Sequence, residues 1–176
     1  MNDRYIALPE LCVQKDSILN FALGKSTTDW LLLPWGQYSF FKWHGCNEIK
    51  MLSSVFTDKV KISVIECMRF DAGTGLPVHK DNKRQAVIQI PLSANCSQTP
   101  TLFYNEDKVL LDSIKWAGDV AYLFDTHTWH SVFNDSTEPR FMLCVSFYKH
   151  TYAELKELYL LFESHSFPVC FQSSLI

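Results

Sequence analysis

From about Val60 onward the chain is a series of short apolar runs rich in β-branched and aromatic residues, each closed by Gly, Pro, Asn or Asp. The strand-like segments are Val60 to Phe70, Ala86 to Leu92, Thr101 to Tyr104, Val109 to Ile114, Gly118 to Phe124, Trp129 to Phe133 and Phe141 to Tyr148. The breaks fall at Asp71-Ala72-Gly73-Thr74-Gly75, Ser93 to Gln98, Asn105-Glu106-Asp107 and Asn134-Asp135-Ser136. Many short strands at this spacing predict an all-β barrel or sandwich rather than βαβ units. Within the last run Phe141, Leu143, Val145 and Phe147 alternate strictly and form one core face, leaving Arg140, Met142 and Cys144 on the other. Thr151 to Ser164 has a different period. Ala153, Leu155, Leu158, Leu161 and Phe162 recur at helical spacing, which predicts a late helix packed outside the β core. Before Val60, Leu11 to Leu23 reads as a weak amphipathic helix ending near Gly24, and Trp30 to Trp43 as irregular or strand structure broken by Pro34 and Gly36.

These readings give one domain: a helical or irregular N-terminal extension over 1–55, the barrel core over 56–149, and a C-terminal helix and tail over 150–176. A chain of 176 residues has the length to bury one sizeable core. Lys+Arg 16 against Asp+Glu 19 leaves a net charge of -3, which argues against bulk nucleic-acid binding by phosphate attraction. The longest apolar run, around Trp30 to Trp35, is far below the roughly 20 residues that span a bilayer. Met1-Asn2-Asp3-Arg4 lacks the charged-then-apolar layout of a secretory signal. Cys12, Cys46, Cys67, Cys96, Cys144 and Cys170 form no CxxC pair, and Cys67 and Cys144 sit inside apolar runs. Reduced, mostly buried thiols in a cytoplasmic setting are the expectation.

The chemistry concentrates in His79-Lys80-Asp81, His130 and Arg140. On a strand, residues i and i+2 point the same way, so His79 and Asp81 can converge. A histidine from a facing strand, His130, completes a two-His, one-carboxylate set on one side of a metal, the open arrangement of non-haem Fe(II) oxygenases. A His-x-Asp alone means little: with 6 His in the chain, about 0.4 arise by chance, and taken singly each residue reads as an ordinary turn or strand residue. The combination is more specific, because the chain has only the arginines Arg4, Arg69, Arg84 and Arg140, and one lies ten residues after the second His. A guanidinium there suits a dicarboxylate held by a two-pronged, charge-assisted contact.

His79-x-Asp81, His130 and Arg140 resemble the motif of the Fe(II)/2-oxoglutarate-dependent dioxygenases. Gly73-Thr74-Gly75-Leu76-Pro77-Val78-His79 and Gly118-Asp119-Val120-Ala121-Tyr122-Leu123-Phe124-Asp125, followed by His130, Asn134-Asp135 and Arg140, resemble the aspartyl/asparaginyl β-hydroxylase-like branch, over about residues 60 to 148. The resemblance implies a double-stranded β-helix, a jelly-roll or cupin-like barrel with Fe(II) at its mouth on His79, Asp81 and His130. It implies Arg140 on the distal carboxylate of 2-oxoglutarate, and Gln89, Arg84 and Tyr104 near that cosubstrate. The chain departs from the β-hydroxylases proper at Asp81, where they carry Gly, and at Met68, which replaces a small polar contact. Their substrate is therefore not carried over.

The expected activity is hydroxylation of a C–H bond in an amino acid, peptide or other small molecule, with release of succinate and CO2. A cupin-like metal-binding module and a metal hydrolase on the same ligands are the alternatives; the first lacks its usual extra His and Glu here, and the second needs no Arg140. His127, three residues before His130, is expected at the rim, and Trp129 in packing. His44, His150 and His165 have no partner pattern. The N-terminal aromatics Trp30, Trp35, Tyr38, Phe40, Phe41 and Trp43 read as an outer packing layer or as a cover for the barrel mouth, and the C-terminal helix as a candidate homodimer face.

Overall fold

The alternation of Phe141–Phe147 is realised in the longest strand of the fold, which organises everything around it. A computed structural model of the chain describes residues 4–9, 11, 15–32, 39–42, 60–118 and 120–164. Its strands are β1 (Tyr5–Leu8), β2 (Leu31–Leu32), β3 (Ser39–Lys42), β4 (Val64–Phe70), β5 (Thr74–His79), β6 (Ala86–Pro91), β7 (Thr101–Tyr104), β8 (Leu110–Ile114), β9 (Ala121–Asp125), β10 (Trp129–Asn134) and β11 (Arg140–Phe147). Among the described residues two α-helices, α1 (Lys15–Leu23) and α2 (Tyr152–Ser164), accompany them. The strands form a seven-stranded sheet in the order β1-β9-β6-β11-β4-β3-β2 and a four-stranded sheet in the order β5-β10-β7-β8. Every pairing is antiparallel.

β11 lies between β4 and β6 and is buried along its whole length, so both of its faces need apolar partners. Phe141, Leu143, Val145 and Phe147 pack with Ile88, Ile90 and Leu123 against Ile18 and Ala22 of α1 and Leu155 and Tyr159 of α2. Met142 and Cys144 face the other way, joining Met68, Phe70, Val87 and Phe124 against Phe103, Ile114 and Val132 of the smaller sheet. The large sheet thus has helices on one face and the small sheet on the other, and the interior between the two sheets is where Arg140 points.

The late helix has its predicted bounds to within a residue, but its buried stripe is Tyr152, Leu155 and Tyr159, while Leu161 is 52% exposed. The two tyrosine rings and Leu155, rather than Leu161, cover the sheet. In the N-terminal portion β2 and β3 fall within the segment read as irregular or strand and extend the large sheet beyond β4, while β1, which was not anticipated, pairs with β9. Trp30 packs on Phe141 at 6.0 Å between ring centroids, on the helix side of the sheet, and so belongs to the outer packing layer. Trp35, Tyr38 and Trp43, and Cys12, Cys46 and Cys170, lie outside the described residues. Cys67, Cys96 and Cys144 are free and buried, and burial pushes the Cys144 thiol up to about 12. Among the described residues no helix is long and apolar enough to cross a membrane.

β5 was not among the anticipated strand segments, since Asp71-Ala72-Gly73-Thr74-Gly75 reads as a break. It sits at the edge of the small sheet, where a proline costs no interior ladder bond. Gly75 permits its close pairing with β10, because a Cβ there would collide with the Val132 carbonyl oxygen and lie 2.6 Å from Phe133 Cα. Gly75→Ala is expected to destabilise the fold by about 1–3 kcal/mol. Thermal unfolding would register this as a fall of several degrees in the midpoint.

Candidate metal centre

β5 and β10 bring the three predicted ligands together. Their pairing sets His79 opposite His130 and Leu76 opposite Val132, so three residues on β5 span two on β10. This irregularity shifts the phase of β5, so that Leu76 and His79 both face the interior although they are three positions apart. A bulge beside a site is a common device for re-aiming a side chain. The His79 and His130 rings lie 4.3 Å apart between centroids. Asp81 lies two residues past the end of β5, so the strand rule that predicted its convergence does not place it. Loop contacts do: its N–H donates to the Thr126 carbonyl at 3.0 Å, and Arg84 Nε donates to its Oδ2 at 2.6 Å. That leaves Asp81 Oδ1 3.7 Å from His79 Nε2. One candidate ligand atom from each of His79, Asp81 and His130 lies within 4.8 Å of the others.

The backbone fixes the tautomers of the two imidazoles. His79 Nδ1 donates to the Pro77 carbonyl at 2.7 Å, and His130 Nδ1 to the Thr128 carbonyl at 2.8 Å. A carbonyl only accepts, so each Nδ1 carries the proton and each Nε2 lone pair is free for a metal. Burial, reinforced by the neighbouring His79, pushes the His130 pKa down to about 4, which keeps that imidazole neutral near pH 7. Phe124, at 5.7 Å, and Phe103, at 6.5 Å, wall it in. The Asp125 that follows Phe124 holds the turn before β10 by accepting from the His127 N–H and the Thr128 hydroxyl. The sequence register of Phe124-Asp125 before His130 therefore has a structural basis. His127 itself is exposed in that turn.

Arg140 starts β11 on the same interior face, 1% exposed, and its guanidinium lies 5.7 Å from the Phe70 ring and 5.8 Å from the Trp116 ring. Its Nε and Nη1 have no hydrogen-bond partner among the described residues. Burial lowers its pKa, although it sits beside the Cys96 thiol. A buried cation with vacant donors is costly unless an anion occupies the space in front of it. Gln89 shares the interior face of β6 with Val87, opposite Cys144 on one side and Tyr122 on the other. It stands along the wall of the interior.

Two expected neighbours of the cosubstrate are placed elsewhere. Arg84 is engaged with Asp81, and its Nη1 reaches Ser146 Oγ at 3.5 Å, so it orients the Asp81 carboxylate. Tyr104 is paired opposite Trp129, while Phe103 is opposite His130. Alternation therefore turns Tyr104 to the outer face of the small sheet, where its hydroxyl bonds Ser131 Oγ at 2.9 Å. Trp129 shares that outer face, with Nε1 on Glu106 at 3.0 Å and the Lys80 and Lys108 ammoniums 5.2 and 5.1 Å from its ring. Arg84→Ala should lower iron affinity about 10–100-fold, the usual cost of losing the group that orients a metal ligand. Equilibrium dialysis against Fe(II) under anaerobic conditions measures it.

The profile of the aspartyl/asparaginyl beta-hydroxylase family matches residues 20–150. The chain belongs to this family. A search of curated protein sequences returns no match. Among solved structures, this β-hydroxylase-family chain resembles a Pseudomonas putida prolyl-4-hydroxylase, with a TM-score of 0.62 at 10% identity over 83% of this chain and 92% of that one. A viral collagen prolyl hydroxylase from Paramecium bursaria Chlorella virus-1, solved with 2-oxoglutarate, gives 0.60 at 15% identity over 82% and 95%. A Trichoplax adhaerens prolyl hydroxylase bound to a hypoxia-inducible-factor peptide gives 0.60 at 13% identity over 91% and 87%. These likenesses establish the fold as the jelly roll of the 2-oxoglutarate oxygenases.

Proposed function

We propose that this family member is an Fe(II)- and 2-oxoglutarate-dependent hydroxylase acting on a small molecule or a peptide. His79, Asp81 and His130 would hold the metal, and Arg140 the distal carboxylate of 2-oxoglutarate. The observation that carries the reading is the pairing of a converged His-Asp-His set with a buried guanidinium that faces the same interior and has two vacant donors, Nε and Nη1, among the described residues. The residues fit both groups. Two imidazoles and one carboxylate suit Fe(II) and leave coordination positions open. A metal hydrolase on the same ligands would give Arg140 nothing to bind.

Iron and 2-oxoglutarate, when bound, supply the activation of dioxygen that hydroxylates a C–H bond and converts 2-oxoglutarate to succinate and CO2. The chain's own part is positional. The Pro77 and Thr128 carbonyls hold the imidazole tautomers, and Arg84 presents Asp81 through Oδ1 by occupying Oδ2. Phe103, Phe124 and Val132 exclude water from the interior behind the imidazoles. Arg140 neutralises the far carboxylate, and Gln89 flanks the path between them. A reducing, cytoplasmic setting accords with three free buried thiols and with the need to keep the metal ferrous.

Purified protein given Fe(II), 2-oxoglutarate and air is expected to form succinate slowly even without a second substrate, in step with oxygen consumed. Absence of succinate above the level of an Asp81→Ala control would contradict the proposal.

A further inference from the structure

A second unsatisfied donor lies beside Arg140. Trp116 sits in the loop between β8 and β9, flanked by the exposed Lys115 and Ala117, yet it is itself 2% exposed. Its ring stands edge-on to Tyr122, with centroids 5.2 Å apart at 87°, and the Arg140 guanidinium lies 5.8 Å from its centre. Its Nε1 has no hydrogen-bond partner among the described residues. A tryptophan used only as filler normally satisfies its N–H or leaves it at the surface. Here an orphaned indole N–H and two orphaned guanidinium nitrogens sit together among Phe70, Cys96 and Met142; the Cys96 sulfur reaches the guanidinium, but none of the three satisfies those nitrogens. Three vacant N–H donors, with no orphaned buried side-chain carbonyl or carboxylate oxygen among the described residues to meet them, describe a receptor for an anion with several acceptor oxygens.

We propose that Trp116 donates its indole N–H to the distal carboxylate of 2-oxoglutarate and so completes, with Arg140, the site that recognises the cosubstrate's far end. The inference rests on the function proposed above and assigns a binding residue that the sequence pattern does not carry. The guanidinium neutralises the charge, while the indole N–H, held in one direction by its contact with Tyr122, fixes where the carboxylate sits. In a dry interior such a charge-assisted bond is strengthened. Its loss should weaken 2-oxoglutarate binding roughly 10- to 100-fold, the range for a hydrogen bond to a charged group. Pyruvate, a 2-oxo acid without the distal carboxylate, gains nothing from Trp116.

The test uses the full chain with Zn(II) in place of Fe(II), labelled with 15N at its tryptophan indoles. The chain has 5 Trp, and the Trp116 indole signal is assigned through its proximity to the Tyr122 ring. It should shift on saturation with 2-oxoglutarate and stay in place with pyruvate. Trp116→Phe, which keeps an aromatic ring beside Tyr122 and Arg140, should weaken 2-oxoglutarate by the factor given and leave pyruvate unchanged. If this variant fails to fold, the shift in the native protein decides alone. An unmoved indole signal, or native affinity in Trp116→Phe while Arg140→Met loses binding, would overturn the role of Trp116 and leave the proposed function standing. Failure of the native protein to bind 2-oxoglutarate at all would overturn both.

Discussion

His130→Ala is expected to abolish stoichiometric iron binding and with it 2-oxoglutarate turnover, while the protein stays folded. His130 is one of two imidazoles whose Nε2 lone pairs face the candidate metal position, and it is the more buried of the two. Its removal should exceed the roughly 10–100-fold loss in affinity that follows the loss of an outer partner such as Arg84. The fold should survive because Phe103, Phe124 and Val132 still join the two sheets. Iron analysis after anaerobic loading and gel filtration, read beside the thermal midpoint, separates loss of the ligand from loss of structure. Retention of one iron per chain would mean that His130 is not a ligand. Asp81→Gly, which restores the residue found in the β-hydroxylases proper, should also fail here. Arg84 would keep its place beside the metal without the carboxylate that now occupies it at 2.6 Å.

Arg140→Met should have two effects of opposite sign. The variant is expected to need more than about 100-fold higher 2-oxoglutarate for half-saturation, since a charge-assisted contact to the carboxylate is lost. In the absence of 2-oxoglutarate the same variant should be more stable than the native chain by about 1–2 kcal/mol, because a desolvated and unpaired cation gives way to an apolar side chain. For a chain of this size that is a rise of roughly 2–4 °C in the unfolding midpoint per kcal/mol. A merely structural role for Arg140 predicts the reverse: a lower midpoint and unchanged 2-oxoglutarate dependence.

Much of the core was legible in the sequence because alternation and turn residues are local signals. β7 occupies Thr101–Tyr104 as read, and β11 has the predicted division of its two faces. β5 was hidden by Gly73, Gly75 and Pro77, which report a turn when the neighbouring strand is unknown but suit an edge strand packed closely on β10. β1 is four residues whose partner, β9, is remote in the sequence, so nothing local announces it. The triad was found through its spacing, although the reason for convergence was only half right. His79 faces His130 through an irregular strand pairing, and Asp81 is placed by Thr126 and Arg84 rather than by strand geometry. Arg84 and Tyr104 were assigned to the cosubstrate by sequence position, but an ion pair and strand alternation direct them elsewhere. Trp116 was missed because an isolated aromatic in a polar loop carries no periodic signal. Only its burial beside Arg140 sets it apart.

We propose that His79, Asp81, His130 and Arg140 form one centre for iron and 2-oxoglutarate. Anaerobic titration of the metal-free protein with Fe(II) and then 2-oxoglutarate, followed by visible absorption, tests it most directly. The predicted result is a metal-to-ligand charge-transfer band that saturates at one equivalent of each, is absent in His130→Ala, and requires far more 2-oxoglutarate in Arg140→Met. No band from the native protein, or a band that His130→Ala leaves intact, would contradict the account.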